Sequence, residues 1–218
     1  MYLSKTPTFI QKLFPNFVWR IPDAKGKLYL SFDDGPIPEV TPWVLDTLAE
    51  HGAKASFFCV GDNVDRHPDI YTRILEDGHT IGSHTQNHLS GWKSENLDYF
   101  LNARKCARRV NSSLFRPPYG KLTRSQAQFL QRHYTIVMWD VLSGDFDTEI
   151  SAEKCLKNII TSATDGSIIV LHDSLKTKDK LREVLPTMLE HFTALGFSFE
   201  TLGSALYEQT QADQKLIA

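Results

Sequence analysis

Apolar residues recur along this chain in two alternating patterns. Short, nearly continuous apolar runs bounded by turn residues predict strands at Leu28–Phe32, Ala55–Val60, Thr80–Ser83, Leu114–Arg116, Tyr134–Trp139, Ser167–Leu171 and Phe197–Thr201. Between them apolar positions fall at helical spacing, as in Val44, Leu45 and Leu48 after the first strand, and in Leu181, Val184, Leu185, Met188 and Leu189 before the last. Gly52 and Gly78 follow such stretches as stops, and Ser151 with Glu153 sits where a helix should begin. Strand alternating with helix seven times predicts parallel strands joined by right-handed crossovers, an α/β fold in one domain. Seven strands fit a slightly short (β/α) barrel better than an open sheet.

The first 20 residues follow another pattern. Phe9, Ile10, Leu13, Phe14, Phe17 and Val18 recur at helical spacing, with Pro15 interrupting, and predict an apolar N-terminal arm (1–20) ahead of the main domain (21–218). Such an arm either packs across the barrel or touches a membrane or a partner. In the whole chain, 24 Lys+Arg against 26 Asp+Glu leave a formal charge of −2. That balance argues against a surface for nucleic acid or anionic membrane driven by bulk charge. No apolar run approaches the roughly 20 residues of a membrane-spanning helix. Lys5, Gln11, Lys12 and Pro15 break up any signal-peptide core, so a cytoplasmic location is expected. Cys59, Cys106 and Cys155 are odd in number and lack any CxxC pair, and read as buried, reduced thiols.

The chemistry gathers at strand ends. Asp33 and Asp34 end the first predicted strand, His84 and His88 follow the third, Arg116 ends the fourth, Asp145 follows the fifth within one loop, and His172 with Asp173 ends the sixth. Barrel enzymes assemble their sites from these C-terminal ends. Each signal alone has a plainer reading. Adjacent Asp residues on a loop are commonly solvated, and a turn such as Arg116-Pro117-Pro118-Tyr119-Gly120 can be rigid with its Arg on the surface. A histidine ending a buried strand can be purely structural. His84 and His88, at i and i+4, would share one face of a helical turn, a spacing that eight histidines also produce by chance. Two His and one Asp with positions open for water form a catalytic rather than a structural ligand set.

The motifs SFDDGP, HTQNH, RPPYG, the Asp145 loop and LHD occur in the order and at roughly the spacing of the polysaccharide deacetylase family, the NodB-homology domain of carbohydrate esterase family 4. The resemblance covers about residues 28–203. It implies a distorted barrel of about seven βα units that removes acetyl groups from N-acetylated poly- or oligosaccharides with one divalent ion, Zn or else Co, Ni, Mn or Fe. Residue by residue, Asp33 resembles the general base, and Asp34, His84 and His88 resemble the metal ligands. Arg116 matches the tether of the base, His172 the general acid and Asp145 the residue that orients it. Tyr119 matches the position whose main-chain N–H binds the oxyanion, and Pro117 lies beside it in the same substrate-facing turn.

Two positions depart from the family pattern. The fourth motif, usually Asp-x-x-Asp-Trp, reads Leu142-Ser143-Gly144-Asp145-Phe146, so its first Asp and its Trp are replaced. Val170 stands where Leu is common, which trims an apolar wall for the acetyl methyl by about one methylene, or on the order of 1 kcal/mol. Trp92 and Trp43 are candidates to stack on a sugar face, with Trp43 better suited to packing. Two other functions remain open: deacylation of a small non-sugar amide, and carbohydrate binding without catalysis.

Overall fold

The computed structural model describes residues 3–217, with side chains through residue 209. Residues 1 and 2 of the expected arm and residue 218 lie outside the described residues. Among the described residues eight strands form, in chain order: β1 (Lys27–Asp33), β2 (Ala55–Cys59), β3 (Thr80–Ser83), β4 (Leu114–Phe115), β5 (Thr135–Ile136), β6 (Val141–Leu142), β7 (Ile168–His172) and β8 (Ser198–Phe199). Seven follow one path, β5-β4-β3-β2-β1-β7-β6, with every pairing parallel. The sheet curls into a distorted (β/α) barrel in one domain.

The strand expected at Tyr134–Trp139 divides. Its start, β5, pairs with β4, while β6, four residues beyond β5, pairs with β7 at the other end of the sheet. One extended segment therefore meets both ends of the curl, and it turns between them at Asp140. The buried Asp140 carboxylate accepts from Ile168 N, Ser167 Oγ and Lys5 Nζ, which fixes that turn. The last expected strand shortens to β8, which pairs with Lys27 and Leu28 just before β2 joins β1 at Leu30.

Side-chain alternation along β1 separates two environments. Leu28, Leu30 and Phe32 join the large core between sheet and helices, with Ile169 and Leu171 of β7. Tyr29, Ser31 and Asp33 point the other way, into the barrel, as do Ile168, Val170 and His172 of β7 by the same alternation. The helices are α1 (Thr8–Leu13), α2 (Thr41–Glu50), α3 (Gly61–Arg66), α4 (Pro68–Glu76), α5 (Asn96–Ala107), α6 (Arg124–Leu130), α7 (Ala152–Ile160), α8 (Lys178–Ala194) and α9 (Leu202–Ile217). In α8, Leu181, Val184, Leu185, Met188, Leu189 and Phe192 are buried, the stripe that helical spacing predicts. Ser151 caps α7 by accepting from Lys154 N–H.

The arm is stitched to the sheet. Lys5 bridges Val141, Val18 bridges Val137 and Arg20 bridges Ser167, while Ile10 and Phe17 pack on a satellite core around Tyr99, Phe115 and Leu130. Its helix spans only Thr8–Leu13, because Pro15 follows, and Phe9 and Leu13 remain exposed. All three cysteines are buried and free. Among the described residues no helix is long and apolar enough to cross a membrane.

Candidate active site

The barrel interior holds a guanidinium with no exposed surface. Arg116, just beyond β4, donates from Nη1 to Asp33 Oδ1 (2.7 Å) and Ser31 Oγ (2.8 Å), from Nη2 to Met138 O (2.9 Å) and from Nε to Val137 O (3.2 Å). Its flat face lies 4.0 Å from the centre of the Phe58 ring. A Cβ at Gly82 would come within 2.5 Å of that ring, so only glycine lets Phe58 support the guanidinium. Buried this deeply, a fixed positive charge demands a fixed negative one, and Asp33 supplies it.

Asp34 turns away from its neighbour at φ 87, aiming its carboxylate at two imidazoles. Asp34 Oδ1 lies 3.2 Å from His88 Nε2 and 3.9 Å from His84 Nε2. One ligand atom from each of Asp34, His84 and His88 can be chosen so that all lie within 4.8 Å of one another. The expectation that His84 and His88 share a helical turn is corrected. Thr85 and His88 have φ of 65 and 58, which a helix excludes, and the rings converge through a bend with centroids 5.1 Å apart. Among the described residues, four of the five non-glycine residues with positive φ, Asp34, Thr85, His88 and Tyr119, stand at this site, and such backbone strain concentrates where geometry is functional.

The donor set suits a divalent cation. Asp34 Oδ1 is buried without a hydrogen-bond partner, an orphan that a cation would satisfy. His84 Nδ1 donates to Arg116 O (2.8 Å), so its Nε2 lone pair faces the cluster. Burial lowers the His84 pKa to about 4 despite the nearby Asp33, which keeps the ring neutral as a ligand must be. Burial pushes the Asp34 carboxyl upward, but His88, His172 and His84 outweigh it and hold Asp34 below the ordinary carboxylate range.

On β7, His172 is the register partner of Asp33. Its Nδ1 donates to Asp145 Oδ1 (2.8 Å) and its main-chain N–H to Asp145 Oδ2 (2.6 Å), so one carboxylate fixes both ring and backbone. Ser143 Oγ holds that carboxylate in turn at 3.0 Å. Burial opposes the charge on His172, yet Asp145, then Asp34 and Asp33, raise its pKa to about 9. Protonated His172 therefore stabilises the fold fully below about pH 6.5, and that contribution is lost as pH rises through about 9. Phe146 sets its ring edge-on to His172, with centroids 5.4 Å apart.

Tyr119 stacks edge-on against His88 at 4.7 Å, in the turn that begins at buried Pro117. Val170 is buried between Ile168 and His172 on the inner face of β7. Trp92 is not brought into the cluster. Its indole donates to Leu122 O (2.8 Å) while the ring is exposed beside Lys121. Trp43 packs half-buried against the main core under Arg182.

Several contributing residues carry no motif-level chemistry of their own. Asp173 accepts from Gly35 N (3.0 Å) and from Thr41 Oγ1, and so clamps the loop that presents Asp34. A Cβ at Gly35 would fall 2.0 Å from Asp173 Oδ2, which explains the glycine after the acidic pair. Asn63 Nδ2 donates to Asp34 O at 2.7 Å. The adjacency of Asp173 to His172 was the one sequence signal for its role, while Ser31 and Ser143 gave none.

The polysaccharide deacetylase family model matches residues 20–135. The peptidoglycan-N-acetylglucosamine deacetylase PgdA of Listeria monocytogenes is 33% identical over 199 residues, 88% of this chain, and this chain spans 41% of that protein's length. A chitooligosaccharide deacetylase of Azorhizobium caulinodans is 35% identical over 162 residues, 71% of this chain and 77% of that protein. Among solved structures, the Bc1960 peptidoglycan N-acetylglucosamine deacetylase in complex with 4-naphthalen-1-yl-N-oxidanyl-benzamide superposes with a TM-score of 0.81 at 29% identity, covering 92% of this chain and 96% of that one.

The triad generates a direct expectation. The chain takes up one equivalent of a divalent ion, and His88→Ala and Asp34→Ala lose that uptake while the metal-free proteins keep their helical and strand signal by circular dichroism. Stoichiometric uptake by both variants would remove the triad as the metal centre.

Proposed function

The chain belongs to the polysaccharide deacetylase family, and from that premise we propose that it is a metal-dependent hydrolase that removes the N-acetyl group from an N-acetylglucosamine-containing glycan. The observation that carries this reading is the pairing of Asp33 and His172, register partners on adjacent strands that flank Asp34 and its two histidines. A base and an acid thus face one position beside a cation-competent cluster.

A divalent ion at Asp34, His84 and His88 would acidify water and polarise the acetamide carbonyl. Arg116 occupies Asp33 Oδ1 and leaves Oδ2 facing the cluster, 4.0 Å from His84 Nε2, placed to take the proton from the attacking water. Attack forms the new C–O bond and puts negative charge on the acetyl oxygen, to which the Tyr119 main-chain N–H would donate. One such donor typically contributes about 3–4 kcal/mol. The C–N bond then breaks only if the leaving nitrogen is protonated. With Nδ1 committed to Asp145, His172 offers the proton on Nε2. Acetate and a free amine result.

Phe146 supplies an apolar edge beside the acid but no indole donor, so its influence falls on holding the sugar rather than on proton transfer. The deciding experiment is acetate release from N-acetylated chito-oligosaccharides and peptidoglycan fragments with added divalent ion. Turnover of either supports the reading, whereas activity confined to small non-sugar amides, or none, would overturn it. In the active enzyme, Asp145→Asn should lower turnover and move the alkaline limb of the pH profile downward. The sign follows from His172: an imidazolium that loses a neighbouring carboxylate gives up its proton at lower pH. A cation at the triad offsets the Asp34 share of the shift but not the Asp145 share, so an unmoved limb would dissociate the pair.

A further inference from the structure

The near-neutral balance of the whole chain conceals a lopsided segment. From Tyr99 to Trp139, 41 residues include no Asp or Glu but eight cations: Arg104, Lys105, Arg108, Arg109, Arg116, Lys121, Arg124 and Arg132. Arg116 is paired with Asp33 and Arg109 with Asp65. Arg104, Lys105, Arg108, Arg124 and Arg132 are exposed and form no ion pair among the described residues. Such local asymmetry creates a field that net charge does not report.

An apolar groove runs along this segment and extends past exposed Asp98 to Leu97. Phe100 of α5 stacks on Phe129 of α6 at 4.2 Å, and a groove of about 660 Å³ opens there, lined by Leu97, Phe100, Leu101, Arg104, Phe129 and His133 among others. Leu97 is 68% exposed and Leu101 52%, unusual for leucines on a helix whose other face is packed. Leu97, Leu101, Arg104 and Arg108 follow one another at three- and four-residue steps, so one stripe of α5 runs from apolar to cationic. Beyond α6, Arg132 and His133 continue the pattern from Phe129. The inner faces of both helices are already engaged through Tyr99, Ala103 and Leu130 in the satellite core. The neighbouring α1 packs Ile10 on that core and leaves Phe9 and Leu13 exposed.

We propose that the α5–α6 face docks on an anionic lipid bilayer, with Leu97, Leu101 and Phe129 entering the acyl boundary and Arg104, Arg108 and Arg132 meeting the headgroups. Charge complementarity selects this occupant. A two-fold contact with a second copy would set one cationic rim against another. A hydrophilic polyanion would meet the arginines but leave the leucines in water. An anionic bilayer satisfies both, because its apolar interior lies directly beneath a negative surface. None of these residues belongs to the candidate active site, so docking and turnover are separable.

The test is co-sedimentation of the full chain with vesicles of phosphatidylcholine alone and of phosphatidylcholine mixed with phosphatidylglycerol. Partition onto the anionic vesicles should be at least about tenfold higher and should fall with added salt. Combined Arg104→Glu, Arg108→Glu and Arg132→Glu, and separately Leu97→Ser with Leu101→Ser, should each lower it at least about tenfold with the circular dichroism spectrum unchanged. If the triple variant does not fold, Arg132→Glu alone, beyond the end of α6, should still weaken binding about threefold. Equal partition onto the two lipids, or wild-type binding by the leucine variant, overturns the proposal. So does a dimer in sedimentation that the leucine variant dissolves, or binding to a soluble polyanion as tight as to vesicles and indifferent to the leucines.

Discussion

A positive charge sealed inside the barrel sets the terms for everything around it. Arg116 has no exposed surface, and its donors reach Asp33 and Ser31 on β1 and Val137 O and Met138 O in the segment between β5 and β6. A guanidinium cannot escape the cost of burial by losing its proton at ordinary pH, so the cost must be met by partners in fixed places. Asp33 is thereby held in place and oriented. The kink of the segment between β5 and β6 is held as well, because two of its carbonyls are acceptors for the same side chain. Arg116 also lends its own carbonyl to His84, which joins the ion pair to the metal-competent cluster.

From that centre the remaining groups are placed by short links. Asp173 N donates to Asp33 O at 3.1 Å, and the Asp173 carboxylate clamps Gly35, so β7 fixes the loop carrying Asp34. His172, one residue before Asp173, is turned by Asp145 to face Asp33 across the strand pair. Positive φ at Asp34, Thr85, His88 and Tyr119 shows where the backbone is bent away from its preferred regions to bring these groups together. Such bends persist because the hydrogen-bonded surroundings over-determine them, and they leave a site that needs little rearrangement to act.

Much of this was legible in the sequence, for a physical reason. Parallel strands buried on both faces read as apolar runs, so a charged residue at the end of such a run stands out, as Asp33, Arg116 and His172 do. The candidate metal ligands were legible as residue types, but their geometry was not: His84 and His88 converge through a bend at Thr85, which periodicity cannot anticipate. The division of the expected Tyr134–Trp139 strand escaped notice because both halves are apolar and only their partners differ. Ser31, Ser143 and Asp173 act through tertiary hydrogen bonds, and nothing local marks a serine that will meet an arginine 85 positions away. The cationic stretch from Tyr99 to Trp139 was plain in the letters but vanished in a net charge of −2.

The central claim is that the Arg116–Asp33 ion pair is a coupled unit on which site and fold depend, and a double-mutant cycle on the metal-free protein tests it most directly. Arg116→Met leaves a buried carboxylate unpaired and should cost about 3–5 kcal/mol in denaturant unfolding, and Asp33→Ala should cost a similar amount by stranding the guanidinium. Because each single change leaves a charge that the double variant removes, the double variant should lose much less than the sum, with a coupling of about 2–3 kcal/mol. Additive losses would contradict the account, since they would mean that the two charges are compensated independently and that Arg116 does not hold Asp33 in place.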